Sequence, residues 1–364
     1  MPLTSGSSAL SQPDKAPSAD GLRVAAIGGG TGLPNVLRGL CSVLYAGAPR
    51  GEDLGRPDRL VAIVTTSDDG GSSGRLRREF GIIPPGDIRN CLAAMAEDQS
   101  LLTELFQYRF EAGDGLTGHA LGNLMLTALT EVTGDFTRAI EIAGRVVGSR
   151  GRVIPVTTDP LTLSAELLDG RIVIGETALI SAGEGVRRLS LLPAEPRCVD
   201  AALDAVRRAD IVVVGPGSLY SSLLPPLLMA DMREAVRLAD AARVFVLNLM
   251  TEPGETAGFD AARHLEVVRA HLGALPFEHV IFNTAQVPPH LAASYAERGS
   301  VPITVTSRDV AVMREMGIQP LGAPLASEGP TGRVRHHPAR LAAAIIACAR
   351  FGPGQTALRS RGHN

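Results

Sequence analysis

Two glycine-rich loops carry the clearest sign of ligand binding in the sequence. Gly28-Gly-Gly-Thr-Gly32 follows the apolar run 23–27, and Gly215-Pro-Gly-Ser-Leu-Tyr220 follows the apolar run 211–214. Glycines let a backbone approach a phosphate, and the free amides of a following helix attract an anion. A tight turn that binds nothing would use the same residue types. The ligand contacts predicted from these loops are Gly28, Gly29, Gly30, Thr31, Gly32, Gly215, Gly217, Ser218 and Tyr220.

An acidic Gly/Ser loop follows the apolar run 60–64, with the sequence Ser67-Asp-Asp-Gly-Gly-Ser-Ser-Gly-Arg-Leu-Arg77. Neighbouring side chains of an extended chain point in opposite directions, so we expect one of Asp68 and Asp69 to face the ligand and the other to cap the loop. Both are candidate Mg²⁺ ligands, because Mg²⁺ prefers carboxylate and phosphate oxygens. Arg75 could hold a phosphate through two hydrogen bonds. The alternative is a set of exposed loop acids and solvated helix charges.

Polar side chains open two predicted helices. Asn90 ends the motif Pro84-Pro-Gly-Asp-Ile-Arg-Asn90, in which Asp87 is the expected N-cap of a helix over 87–97. His119 and Asn123 are four residues apart, hence on one helical face, and they either contact a ligand or are buried with protein partners. We therefore treat Asn90, His119 and Asn123 as candidate ligand contacts.

Two later stretches add candidates. Three polar side chains follow the predicted strand 244–247 and could read the polar atoms of a ligand: Asn248, Thr251 and Thr256. The run Arg333-Val-Arg-His-His337 places cations near a helix start. That run forms either a phosphate clamp or a surface cluster.

Familiar catalytic motifs are missing from the sequence. It contains no GxSxG elbow, no P-loop lysine, no HExxH and no Cys/His set with metal spacing. The four cysteines are far apart, which is typical of reduced, buried thiols. Because no nucleophile is paired with a base, the sequence leaves open whether the chain is an enzyme.

Alternating apolar strands and helical segments predict an α/β fold. We expect a Rossmann-like, three-layer α/β/α arrangement with a mostly parallel sheet. The runs 161–168 and 171–175 meet at Asp169-Gly170, which predicts an antiparallel hairpin excursion on one edge of the sheet, with 186–191 as a candidate third strand. We expect one domain over 22–351, a disordered leader over 1–21 and a flexible tail over 352–364.

Composition excludes several classes of partner. The net charge of −3 provides no basic excess for a phosphate backbone, and aromatic residues make up only 4%, so nucleic acid is not expected as a partner. No apolar run reaches the roughly 20 residues that span a membrane, and the start does not resemble a signal peptide. We therefore expect a cytoplasmic protein.

The motifs together resemble one family. The two glycine loops, the acidic loop 67–77, Pro85-Gly-Asp-Ile-Arg-Asn90, Gly118-His-Ala-Leu-Gly-Asn123 and Thr133-Gly-Asp-Phe136 are similar, in order and spacing, to those of the YvcK-type gluconeogenesis factors. The resemblance runs from about Arg23 to about Arg350. The segment 47–59 is longer than the family pattern, and His337 stands where that pattern has Asn.

The resemblance implies a UDP-sugar or dinucleotide ligand and a role in cell shape and envelope synthesis during gluconeogenic growth. The wider CofD-like superfamily includes Mg²⁺-dependent 2-phospho-L-lactate transferases with an acid near Asp68 and Asp69. Two functions therefore compete: a regulator that binds the ligand without turnover, and a transferase that moves a phosphorylated group. An NAD(P)-linked oxidoreductase is a weaker third, since a strict GxGxxG is missing. Envelope-synthesis proteins and a second copy of the chain are the candidate protein partners.

Overall fold

The computed structural model describes residues 21–47, 57–96, 100–183, 185–329 and 332–349. Within these ranges the central sheet has seven strands in the order β10-β9-β8-β7-β1-β2-β3, and every neighbouring pair is parallel. Its strands are β1 Val24–Gly28, β2 Leu60–Val64, β3 Arg152–Pro155, β7 Ile211–Val214, β8 Ala242–Val246, β9 His279–Asn283 and β10 Gln319–Ala323. The predicted mostly parallel sheet is confirmed.

Two smaller antiparallel sheets accompany the central one in the described ranges. The first has the order β5-β4-β6, with β4 Thr162–Leu167, β5 Ile172–Ile174 and β6 Val186–Leu192. The second pairs β11 Ala326–Glu328 with β12 Val334–His336. The predicted hairpin is confirmed as β4 and β5, but it belongs to a separate three-stranded sheet and does not extend an edge of the central one.

Helices cover both faces of the central sheet. They are α1 Leu33–Leu44, α2 Gly71–Phe80, α3 Gly86–Met95, α4 Leu101–Gln107, α5 Leu121–Thr133, α6 Phe136–Val146, α7 Glu176–Ala182, α8 Asp200–Arg207, α9 Leu224–Leu228, α10 Ala230–Leu238, α11 Ala261–Leu272, α12 Pro289–Ala296, α13 Ser307–Glu315 and α14 Pro338–Cys348. Alternate residues of β1 enter different cores: Val24 packs with α1, α3 and α14, whereas Ala25 packs with α8, α10 and α11. This arrangement confirms the three-layer α/β/α fold. None of the helices in the described ranges has the length and apolar character needed to cross a bilayer.

The strand order reverses between β1 and β7. The chain proceeds from β1 to β2 and β3 on one side, and from β7 to β8, β9 and β10 on the other. The carboxyl ends of β1 and β7 therefore form a topological switch point of the sheet. Ligands of open α/β sheets bind at such a switch point.

Some predictions of local structure were wrong. Residues 71–77, expected to belong to a Gly/Ser loop, form most of α2, whose Ser72, Ser73 and Gly74 are buried against neighbouring segments. Tertiary packing here overrides the low helix propensity of Gly and Ser. Helix α11 begins at Ala261, because the Asp260 side chain accepts a hydrogen bond from the Arg263 amide and caps it.

Two further expectations concern the chain ends and the N-cap of α3. The predicted leader 1–21 falls, except for Gly21, outside the described residues, as does the predicted tail 352–364. Asp87 was expected to cap α3, but the N-cap is Pro85 and no side chain caps this helix. The Asp87 carboxylate instead accepts a hydrogen bond from the Gly30 amide at 2.6 Å.

Candidate functional site

The two glycine loops pack directly on each other at the switch point. A side chain on Gly32 would collide with the carbonyl of Pro216, so the two backbones can approach only because position 32 is glycine. Gly30 has a φ of 62°, a left-handed conformation that glycine adopts readily. At these positions the glycines serve loop packing and turn geometry as well as any approach of a ligand.

A cavity of about 350 Å³ opens beside the interlocked loops, and we call it the switch cleft. It is lined by Thr31, Gly32, Asn35, Pro216, Gly217, Ser218, Asn248, Leu249, Met250, Thr251, Glu252, Pro253, Tyr295, Arg298, Ser300, Val334, Arg335 and His336. The lining combines residues from the first strand-to-helix turn, the loops after β7 and β8, helix α12 and strand β12. Chain segments some 300 residues apart therefore form one cleft, as the Arg335–Thr31 separation of 304 residues shows.

The cleft carries positive charge at the start of α1. Arg335 Nη1 donates to Thr31 Oγ1 at 2.9 Å, which places the guanidinium over the first glycine loop, and Arg298 lines the same cavity. Burial is the main cause that lowers the pKa of Arg335; Tyr295 opposes this effect and the charge of Arg333 adds to it, but an arginine stays protonated at physiological pH. Helix α1 is twelve residues long and directs its N-terminal amides toward this end of the sheet. The two guanidinium groups and the helix dipole together favour a phosphate.

Asn248 fixes the second glycine loop. Its Oδ1 accepts from the Gly217 amide at 3.0 Å, and its Nδ2 donates to the Gly217 carbonyl at 2.8 Å. Thr251 lines the cleft, but its hydroxyl accepts from the Val301 amide, and the fully buried Thr256 accepts from the Glu252 amide. The structure thus places Asn248 and Thr251 at the cleft and Thr256 beneath it, in supporting roles.

Four carboxyl groups gather under the first glycine loop: Asp68, Asp87, Glu176 and Glu255. We call this set the acidic cluster. Burial is the main cause of raised pKa values throughout it, and repulsion from a neighbouring carboxylate, inside or outside the cluster, adds to the effect in each case. The pKa of Asp87 rises to about 6, with a contribution from Asp68. The pKa of Glu176 rises to about 8, with contributions from Asp68, Asp87 and Glu255.

The acidic cluster reaches the switch cleft through Glu255 and Glu252. Glu255 is 4% exposed and accepts a hydrogen bond from the Tyr220 amide at 3.0 Å. Burial and the neighbouring Glu252 raise the pKa of Glu255 to about 7. Glu252 itself lines the cleft, where Ser218 hydrogen-bonds to it. The cluster can therefore hold protons near neutral pH beside the cleft.

Asp68 and Asp69 point apart, as an extended backbone requires. Asp68 accepts from the Gly70 amide at 2.9 Å and belongs to the acidic cluster. Asp69 turns toward α7, where it accepts from the Thr177 amide at 2.9 Å and from the Thr177 hydroxyl at 2.6 Å. The two aspartates therefore do not form a joint metal site in this arrangement. Among the described residues, no three His, Cys, Asp or Glu side chains are placed to hold a metal ion together.

The other predicted contacts lie outside the switch cleft. His119 Nδ1 and Asn123 Nδ2 both hydrogen-bond to Ser72 Oγ, at 3.0 and 2.9 Å, and join α5 to α2. Arg75 donates to the Thr117 carbonyl, and Asn90 accepts from Arg89. The Tyr220 side chain is fully buried, with its ring edge-on to His271 at a centroid distance of 5.9 Å. The predicted ligand contacts thus lie in three places: the switch cleft, the buried acidic cluster and the protein core.

Several residues of the site were missed by sequence reasoning. Glu176 was not singled out, although it follows Gly175 at the end of a hairpin strand, and Glu255 was not singled out within Glu252-Pro-Gly-Glu-Thr256. Tyr295 on α12 and Arg298, two residues after its end, were missed because α12 itself was not predicted. A charged residue in a glycine-bearing turn was the available signal for the two glutamates. For the α12 residues the sequence offered no signal that we recognise.

The sequence of the chain is similar to those of known proteins along most of its length. A family model described as 2-phospho-L-lactate transferase CofD matches residues 24–326. The chain belongs to the CofD family. Within this CofD-like family it is similar to proteins named gluconeogenesis factor from Bacillus subtilis strain 168, at 40% identity over 82% of this chain and 89% of the relative, and from Halalkalibacterium halodurans, at 42% identity over 78% and 84%.

A solved CofD-like structure has the same fold. The crystal structure of a Bacillus halodurans protein described as a member of the UPF0052 family superposes with a TM-score of 0.81 at 38% identity. The superposition covers 89% of this chain and 99% of that one. The family expected from the motifs is therefore confirmed.

Proposed function

We propose that the chain is a regulator that binds a nucleotide-activated sugar of the UDP type in the switch cleft, without turning it over. Relatives named gluconeogenesis factor support a role in growth on gluconeogenic carbon. We further propose that the ligand-bound form acts on cell shape and envelope synthesis through protein partners, in the cytoplasm. The observation that carries the proposal is the cationic switch cleft, with Arg335 bonded to Thr31 at the start of α1.

Each part of a UDP-sugar has a matching group in the cleft. Arg298, Arg335 and the α1 amides suit a diphosphate, which carries negative charge and many acceptor oxygens. The half-buried Tyr295 offers an aromatic face for a base. Asn35 and the Glu252 carboxyl offer a donor and an acceptor to sugar or base hydroxyl and amide groups. Aromatic, polar and cationic groups thus line a single cavity.

The decisive measurement is a calorimetric titration with UDP-N-acetylglucosamine, with and without Mg²⁺, followed by recovery of the ligand. We expect binding without metal, and an intact ligand afterwards. Arg335→Gln should weaken binding about 10- to 100-fold, because a charge-assisted hydrogen bond contributes about 1.5–3 kcal/mol. The matched control is Arg314→Gln, on the exposed surface of α13, which should bind as tightly as the parent protein. Unchanged affinity in a folded Arg335→Gln protein would show that the ligand does not bind in the switch cleft.

A Mg²⁺-dependent transferase is the second candidate, and the acidic cluster is the observation that favours it. Asp87 bonds to the loop that would hold the donor phosphates and Asp68 lies near it, and a carboxylate combined with phosphate oxygens suits Mg²⁺. The matching family model is also described by a transferase activity. In the same titration, breakdown of the ligand that depends on Mg²⁺ would select this function over the regulator.

A further inference from the structure

Three arginines surround the turn that precedes α5, and we call them the arginine site: Arg75, Arg89 and Arg109. Arg75 Nη2 donates to the Thr117 carbonyl at 2.7 Å, and Arg109 Nη1 donates to the Gly118 carbonyl at 2.5 Å. Arg89 reaches the same place from α3, because a Cβ on Gly122 would lie 2.9 Å from its Cγ. Three positive side chains thus meet at one end of α5.

Arg89 is the buried member of the arginine site. Its side chain belongs to a residue that is only 6% exposed, and its Nη2 donates to Asn90 Oδ1 at 2.7 Å. Among the described residues, neither its Nε nor its Nη1 has a hydrogen-bond partner. A buried guanidinium whose donors are unsatisfied is costly, so this position favours an additional acceptor.

The surroundings of Arg89 are electropositive. Burial is the main cause that lowers the pKa of Arg89 to about 10, and the charge of Arg109 adds to it. Asp87 opposes this effect only in part, and its carboxylate already accepts from Gly30. Helix α5 is thirteen residues long and starts beside Arg89, so its N-terminal dipole adds to the positive field.

The arginine site is open at one end. Arg109 is exposed and Arg75 is half-buried, whereas Arg89 lies underneath them. None of the three lines the switch cleft. Asp87 lies between the two places, since it bonds to the first glycine loop and precedes Arg89 by two residues on α3.

We propose that the arginine site binds a phosphate-type anion, as inorganic phosphate or a phosphate monoester, separately from the ligand of the switch cleft. Guanidinium groups present their donors as a fork that matches phosphate oxygens, and three of them suit an anion with more than one negative charge. The exposed Arg109 and the half-buried Arg75 would meet the anion first, and Arg89 would supply its unsatisfied donors from below. The chain then responds to a phosphorylated metabolite as well as to its nucleotide ligand.

The test is thermal unfolding of the full chain in inorganic phosphate against chloride at matched ionic strength. We expect phosphate at about 100 times its Kd to raise the Tm of the parent protein by roughly 3–5 °C. Arg109→Gln, at an exposed position, should lose most of that rise. Arg89→Met should lose it entirely and, in chloride, should unfold at the same temperature as the parent or higher, because an unsatisfied buried charge has been removed.

Two controls make the test specific. Arg314→Gln on α13 and Arg335→Gln in the switch cleft should both keep the full response to phosphate. Loss of the response in Arg335→Gln would place the anion in the switch cleft and overturn the proposal. An equal Tm in phosphate and chloride, or a full response in Arg109→Gln, would also overturn it. Because Arg109 is exposed, this variant keeps the test informative even if Arg89→Met fails to fold.

Discussion

Asp87 and Arg89 show how charge is arranged at the scale of single residues. They are two residues apart on α3, yet no hydrogen bond joins them among the described contacts. Asp87 bonds to the Gly30 amide under the glycine loop, and Arg89 bonds to Asn90 on the other side. One short helix therefore separates a buried negative region from a buried positive one. Asp87 and Arg89 therefore use their hydrogen-bonding groups on other partners and not on each other.

Stability should depend on pH through the acidic cluster. The folded-state pKa values of Asp87, Glu255 and Glu176 rise to about 6, 7 and 8, above the ordinary values of 3.8 for aspartate and 4.5 for glutamate. The folded state therefore binds more protons than the unfolded state between pH 4 and 8. This contribution is fully present below pH 4 and is lost as the pH rises through 6 to 8. We expect the Tm at pH 5.5 to exceed that at pH 8.5.

A neutral residue in the cluster should weaken that dependence. Glu176→Gln should gain about 2 kcal/mol of unfolding free energy at pH 8.5, since its repulsion and desolvation disappear, and should gain little at pH 5.5. Glu315→Gln, at an exposed position on α13, is the control and should keep the parent profile. Denaturant unfolding at both pH values measures the difference. An identical pH profile in Glu176→Gln would show that this carboxyl is ionised in the folded protein.

At the scale of elements, the site depends on how two strand-to-helix loops meet. The turn after β1 and the turn after β7 come from neighbouring parallel strands, and Gly32 allows them to touch at Pro216. Asn248, after β8, then holds the second turn through Gly217. Three successive strands of the sheet thus contribute to one rigid floor for the switch cleft.

Gly32→Ala tests this packing. The new methyl group would overlap a backbone carbonyl that cannot rotate away, so we expect a loss of about 1–3 kcal/mol in stability and weaker binding of UDP-N-acetylglucosamine. Gly144→Ala on α6 is the matched control, because its methyl group would meet the end of the flexible Leu92 side chain at 3.2 Å and Ser149 Cβ at an ordinary contact distance of 3.9 Å. Chemical denaturation and calorimetry measure both effects. A Gly32→Ala protein with parent stability would mean that the loops can separate at no cost.

Elements were predicted well where a local pattern determines them. Runs such as Leu60–Val64 are apolar throughout, and a short continuous apolar run is enough to predict a strand that is buried on both faces. Helix α2 escaped prediction because Gly71, Ser72 and Ser73 have poor helix propensity and depend on their neighbours in the fold. Among site residues, the glycine loops could be found from sequence alone. Glu176 could not, because its partners Asp68 and Asp87 are about 90 to 110 residues away and only the fold brings them together.

At the scale of the whole molecule, the switch cleft brings together segments that are far apart in the sequence, from the turn after β1 to strand β12. Its floor comes from the turns after β1 and β7, and its cationic wall comes from β12. Ligand binding should therefore protect both regions together. We expect UDP-N-acetylglucosamine to slow amide hydrogen exchange in α1's first turn and in Val334–His336 to a similar extent. Exchange in β5, which lies outside the cleft, should not change. Protection of only one of the two regions would contradict a shared ligand.

The bond between Thr31 and Arg335 also orders events during synthesis of the protein. The two residues are 304 positions apart, so the first glycine loop is made long before the residue that covers it. A ribosome that adds roughly 5–20 residues each second needs about 15–60 seconds to cover that distance. During that time a nascent chain has the loop without its guanidinium. In the proposed function, full affinity for the ligand therefore requires that synthesis has passed Arg335, and shorter nascent chains would compete poorly for the metabolite.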